Sequence, residues 1–133
     1  MEIQCEYKCC ISIVPKIRYA CFIREQEFEP NLPYKLIGNH IIGGNNKSVK
    51  GVVLKQCKIL RIPEGLMKTF PNMVHLCIHA SNIKVVNKED FRDLKNLKEI
   101  DFDGNEIEFL PGNLFEHAKS IEIVSFDNNK IKI

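Results

Sequence analysis

The chain has no tryptophan and no apolar run approaching the about 18–20 residues that a membrane span requires. It also lacks a basic stripe with interleaved aromatics, so nucleic-acid binding by base stacking is not expected. Paired Cys-x-x-Cys motifs, the spacing of a structural zinc site, are absent. Gly38-Asn39-His40 and Gly43-Gly44 are not followed by Gly-Lys-Ser/Thr, so they read as turns rather than a phosphate loop. The opening residues Met1 to Cys5 contain none of the apolar core of a secretory signal. The expectation is therefore a cytoplasmic protein, or an exported one whose signal is not in this chain.

What is present bounds the answer further. At 133 residues the chain has the length of one domain. Its 44% hydrophobic and 27% charged content argues against wholesale disorder. A net charge of +2 is too small to make nucleic acid or a charged membrane the main partner. It hides an asymmetry, because residues 1–72 carry 11 Lys+Arg against 6 Asp+Glu, whereas residues 73–133 carry 8 against 11. Six cysteines are present, and Cys5, Cys9, Cys10 and Cys21 crowd the first 21 positions. Asn46-Lys47-Ser48 is a glycosylation sequon.

The dominant pattern is a 24-residue period. It begins with Val49-x-x-Val52-x-Leu54-x-x-Cys57-x-Ile59, then Met73-x-x-Leu76-x-Ile78-x-x-Ser81-x-Ile83. Leu97-x-x-Ile100-x-Phe102-x-x-Asn105-x-Ile107 and Ile121-x-x-Val124-x-Phe126-x-x-Asn129-x-Ile131 complete it, without insertions. Repeats of about 20–29 residues in this frame, with Asn or Cys at the ninth position, are the leucine-rich-repeat pattern. Within each unit the fourth and sixth positions alternate with solvent positions, which is the period of a half-buried strand. Stacked units therefore predict a parallel sheet. Asn105 and Asn129 are expected to turn inward and satisfy loop backbone groups, with Ser81 and Cys57 as partial substitutes. Phe91 and Phe115, with Leu66 and Phe70 in the first unit, are expected behind the sheet. The short Pro111 to Phe115 spacing predicts turns or 3₁₀ segments on the convex side.

Residues 1–48 do not fit the frame and read as a Cys-rich N-terminal cap; 49–133 read as four repeats, the last truncated, in one continuous domain. Tyr19–Ile23 and Lys35–Ile42 have strand composition, separated by turn chemistry at Glu29-Pro30-Asn31-Leu32-Pro33. A hairpin there would cover the apolar end of the array.

The 24-residue frame, with Pro and Phe at these offsets, resembles the extracellular type of leucine-rich repeat in Toll-like receptor ectodomains. Tyr19-Ala20-Cys21, Gly38-Asn39-His40 and Phe70-Pro71-Asn72 also resemble secreted leucine-rich-repeat proteins of arthropods. The resemblance implies an α/β solenoid: a curved parallel sheet with a β-hairpin cap, acting as a binding scaffold in recognition or innate immunity. It carries over no catalytic residues and no cofactor. The cysteine cluster resembles a disulfide-braced cap, with Cys5–Cys21 as the favoured pair and Cys9 or Cys10 taking another partner, although six cysteines allow 15 pairings. Cysteines and sequon together favour an extracellular location. The chain departs from the pattern in lacking an export signal and in stopping at Ile133 without a C-terminal cap.

Function is expected on the concave face, where outward strand residues align in columns about 4.8 Å apart. These columns place His75, Cys77 and His79 beside Glu99, Asp101 and Asp103, with Ser125 and Asp127 in the fourth unit. The expected partner is a protein or peptide carrying basic groups. Cys77 and His79 with Asp101 or Asp103 have the makings of a metal site, but ordinary His–Asp pairing is favoured and no metal is expected. Cys77 and His79 are parallel on their strand rather than convergent, and nothing supplies an oxyanion pocket, so no enzyme is expected. The alternatives are assembly through the open last strand, giving a homo- or hetero-dimer, or an intracellular scaffold with reduced cysteines.

Overall fold

In the computed structural model, which describes residues 1–13 and 16–132, the repeat frame becomes a ladder of parallel strands. Strands β5 (Gly51–Lys55), β6 (His75–His79), β7 (Glu99–Asp101) and β8 (Ile123–Ser125) occupy the same positions of successive units. They pair in the predicted register, with Gly51 opposite His75, His75 opposite Glu99 and Glu99 opposite Ile123. Inward positions Val52, Leu54, Leu76, Ile78 and Ile100 are fully or almost fully buried. Burial of such aliphatic side chains contributes about 1.5–3 kcal/mol each. The architecture is a parallel-sheet solenoid.

The cap differs from expectation in which strands form its hairpin. It is built from β2 (Glu6–Ile13) and β3 (Lys16–Arg24), which pair antiparallel. Of the expected Lys35–Ile42 strand, only β4 (Lys35–Ile37) forms, and it pairs parallel with β1 (Glu2–Gln4) in a separate two-stranded sheet. Gly38, which follows that strand, leaves no room for a side chain, because a Cβ there would overlap the Cys5 carbonyl oxygen. Strand β3 then lies parallel to β5, so the main sheet runs β2-β3-β5-β6-β7-β8. Cys5 and Cys21 meet beneath this junction at disulfide distance, with Cα atoms 5.6 Å apart and both side chains buried. The expected second pairing of Cys9 or Cys10 lies outside the described side chains.

The opposite side of the units is made of short pieces. They are 3₁₀ turns at Asn46–Ser48 and Lys88–Phe91 and one four-residue α-helix, Leu66–Thr69. Asn45 and Asn87 begin the two 3₁₀ turns with reciprocal side-chain caps to Ser48 and Asp90. Phe70 and Phe91 are fully buried behind the sheet, and Phe115 packs at 5.5 Å from Phe91 while remaining half-buried.

Each ninth-position residue spans two units. Asn105 Oδ1 accepts from the Ser81 and Ile83 amides, and its Nδ2 donates to the Ile78 and Phe102 carbonyls. Asn129 accepts from Ile107 N and donates to Phe102 O and Phe126 O. Ser81 Oγ accepts from Cys57 N and donates to His79 O, while the Cys57 thiol donates to Ile23 O at 3.7 Å. One side chain per unit thereby pairs backbone groups that burial would otherwise leave unsatisfied.

Candidate functional site

The register sorts the outward side chains into three rows across the sheet. One runs Lys8, Ala20, Gly51, His75, Glu99, Ile123. The second runs Glu6, Phe22, Val53, Cys77, Asp101, Ser125, and the third Arg24, Lys55, His79. The rows were legible from β5 onward, but Ala20, Phe22 and Arg24 were not placed in them. Their strand belongs to the cap, whose offset to the next strand is longer than the repeat. The available signal was the alternation of inward Cys21 and Ile23, which matches Val52 and Leu54.

The outward face is not uniformly solvated, contrary to the strand-alternation expectation. Ala20, Phe22, Val53 and Cys77 form their own buried apolar cluster on this side. His75 and Glu99 are buried as well. The physical reason is neighbour coverage. Residues about 4.8 Å apart along a row screen one another, and the Phe22 ring is large enough to cover the small side chains beside it. Lys8 and Arg24 lie 5.4 and 5.8 Å from the Phe22 ring centre, so cations flank its aromatic surface.

The polar half begins at β6. His75 Nδ1 is 2.9 Å from Glu99 Oε2, a hydrogen bond between directly opposed residues. His79 Nε2 is 2.9 Å from Asp101 Oδ1, at an angle outside hydrogen-bond alignment. Asp101 Oδ1 also accepts from the Asp103 amide. Asp103 lies just past the end of β7, where its Oδ1 accepts from Ser125 Oγ at 2.6 Å and from the Asp127 amide at 2.8 Å. Cys77, His79 and Asp101 each bring one donor atom within 4.8 Å of the others. Burial, and then the Asp101 carboxylate, push the Cys77 thiol up to about 12. All eight expected face residues are thus on one side of the sheet or its carboxyl edge, with the two histidines drawn into pairs with Glu99 and Asp101.

A parallel ladder with a 24-residue unit, a ninth-position polar ladder and a row-organised outward face make up a leucine-rich-repeat solenoid fold. Residues 71–131 match the sequence profile of the leucine rich repeat family. No curated protein sequence matches the chain. The crystal structure of the APL1 leucine-rich repeat domain is similar, with a TM-score of 0.63 and 17% identity, over 96% of this chain and 30% of that one. At this identity the likeness carries the fold, and this chain spans less than a third of its neighbour's length. No helix among the described residues is long and apolar enough to cross a membrane.

Proposed function

We propose that the chain is a non-enzymatic binding module whose concave face receives a basic segment of a protein or peptide partner. The observation that carries this reading is the acidic edge formed by Asp101, Asp103 and Asp127. Asp103 is held in place by Ser125 and the Asp127 amide, so its carboxylate is positioned rather than mobile. A positioned carboxylate loses less freedom when a lysine or arginine arrives. The apolar cluster around Phe22 continues the face toward the cap. Extracellular recognition, of the kind the resemblance implies, is supported by the close Cys5–Cys21 pair and by the exposed sequon at Asn46.

Selection of a displayed random-peptide library against the whole chain tests the proposal. Basic peptides should be enriched, and the Asp101→Lys, Asp103→Lys double variant should lose them. Selected peptides that bind the charge-reversed protein equally well would defeat the reading.

A second reading, assembly through β8, is favoured by the 51% and 44% exposure of Ile123 and Val124 on that strand. An unpaired strand edge is a template for strand addition. Light scattering separates the two, because a monomer at all concentrations rules out self-assembly.

A further inference from the structure

The side-chain cluster at the middle of the outward face supports more than ion pairing. Cys77 and His79 are two apart on β6, so their side chains leave the same face. Asp101 is the direct cross-strand neighbour of Cys77 on β7. All three positions are therefore set by paired backbone rather than by loops. Their donor atoms, one sulfur, one imidazole nitrogen and one carboxylate oxygen, lie within 4.8 Å of one another. A tetrahedral zinc-type ion needs such atoms roughly 3.3–3.8 Å apart, so the wider separations must close and the 2.9 Å His79–Asp101 contact must open slightly, adjustments within the reach of side-chain rotation.

We propose that Cys77, His79 and Asp101 form a three-ligand site for a borderline-soft divalent transition metal, with zinc as the best fit. The fourth position opens onto the concave face. The mixed S, N and O donor set suits zinc and disfavours calcium or magnesium, which take oxygen ligands.

Two details separate this from a surface His–Asp pair. His79 Nε2 lies close to Asp101 Oδ1 yet off the axis of a hydrogen bond, so the nitrogen is left without a well-formed partner. Asp101 is in turn oriented by the Asp103 amide, the kind of outer contact that fixes a ligating carboxylate. On the other side, Phe22 and Val53 cluster with Cys77 and keep water from the sulfur. Binding is balanced by proton release: the metal–sulfur bond replaces the S–H bond, and the thiol proton passes to buffer.

This inference goes beyond the peptide-binding reading, and its test uses no protein partner, so each can fail while the other stands. Cobalt(II) is added to the whole protein under anaerobic reducing conditions in a non-coordinating buffer. One equivalent should produce a sulfur-to-cobalt charge-transfer band with d–d bands of tetrahedral intensity, and zinc should displace it. Cys77→Ser should abolish the charge-transfer band, with unchanged far-ultraviolet circular dichroism as the check on folding. Asp101→Asn should weaken cobalt binding by about tenfold or more. Cys57→Ser, which alters the other free thiol among the described residues, should change nothing. Absence of a charge-transfer band at millimolar cobalt, or a band undiminished in Cys77→Ser, would overturn the site.

Discussion

His75 Nδ1 lies 2.9 Å from Glu99 Oε2 on the outward face of the sheet, and the two residues are only 5% and 6% exposed. A buried pair of this kind is weak evidence for net stabilisation, because desolvation offsets the attraction. Losing one partner is another matter. Glu99→Leu alone or His75→Leu alone is expected to cost about 3–5 kcal/mol, whereas the double replacement should lie much nearer the parent. A double-mutant cycle from urea denaturation measures this. Additive losses would show that the pair is not coupled.

The ninth-position ladder predicts a graded series. Asn105→Ala strands the Ser81 and Ile83 amides and the Ile78 and Phe102 carbonyls. With about 1–3 kcal/mol for each buried unpaired group, its loss should reach at least ~3 kcal/mol. Ser81→Ala removes the acceptor of a single amide, Cys57 N, and should cost less than half as much. Denaturant midpoints at constant m-value report both.

The residue before each ninth position has positive φ: 53° at Gln56, 50° at Ala80, 75° at Gly104 and 58° at Asn128. Only the third unit uses glycine, the residue without a penalty in this region. A Cβ at Gly104 would meet Ala80 at ordinary contact distance, so the cost of Gly104→Ala is backbone strain alone. It should destabilise the protein by about 1 kcal/mol. Thermal unfolding of the variant checks it.

Cys77 gives a prediction for alkaline pH in the metal-free protein. Burial, then Asp101, raise its thiol from 9.0 to about 12, with Lys55 acting against them. The unfolded chain therefore loses this proton first. Stability from this group is complete below about pH 9 and falls toward about 12, by at most ~1.4 kcal/mol per pH unit. Tyr34, also raised to about 12 by burial, falls in the same window. The readout is accordingly the difference between the parent and Cys77→Ser, measured with EDTA present. An identical alkaline decline in both would contradict the assignment.

Much of this molecule is legible in its sequence because the repeat carries its own register. Once Val52, Leu76, Ile100 and Val124 share one position, the neighbours of His75, Cys77 and His79 follow from counting. Counting fails where the period does. Phe22 enters the outward face from a cap strand at a different offset, and the hairpin partner of that strand is Glu6–Ile13 rather than Lys35–Ile42. The latter runs only to Ile37, and the close approach of Cys5 that demands glycine at position 38 is announced by no local pattern. Nor does strand alternation reveal that Val53, His75, Cys77 and Glu99 are buried, because their cover comes from neighbouring rows.

The direction of the ninth-position ladder has a mechanical consequence. Asn105 fastens the turn at Ser81, Ser81 fastens the amide of Cys57, and Asn129 fastens that of Ile107. Each turn is thus latched by the unit that follows it, never by the one before. Under tension applied at the far end of the array, every unit that peels away should unlatch its predecessor, so the solenoid should unravel stepwise toward the cap.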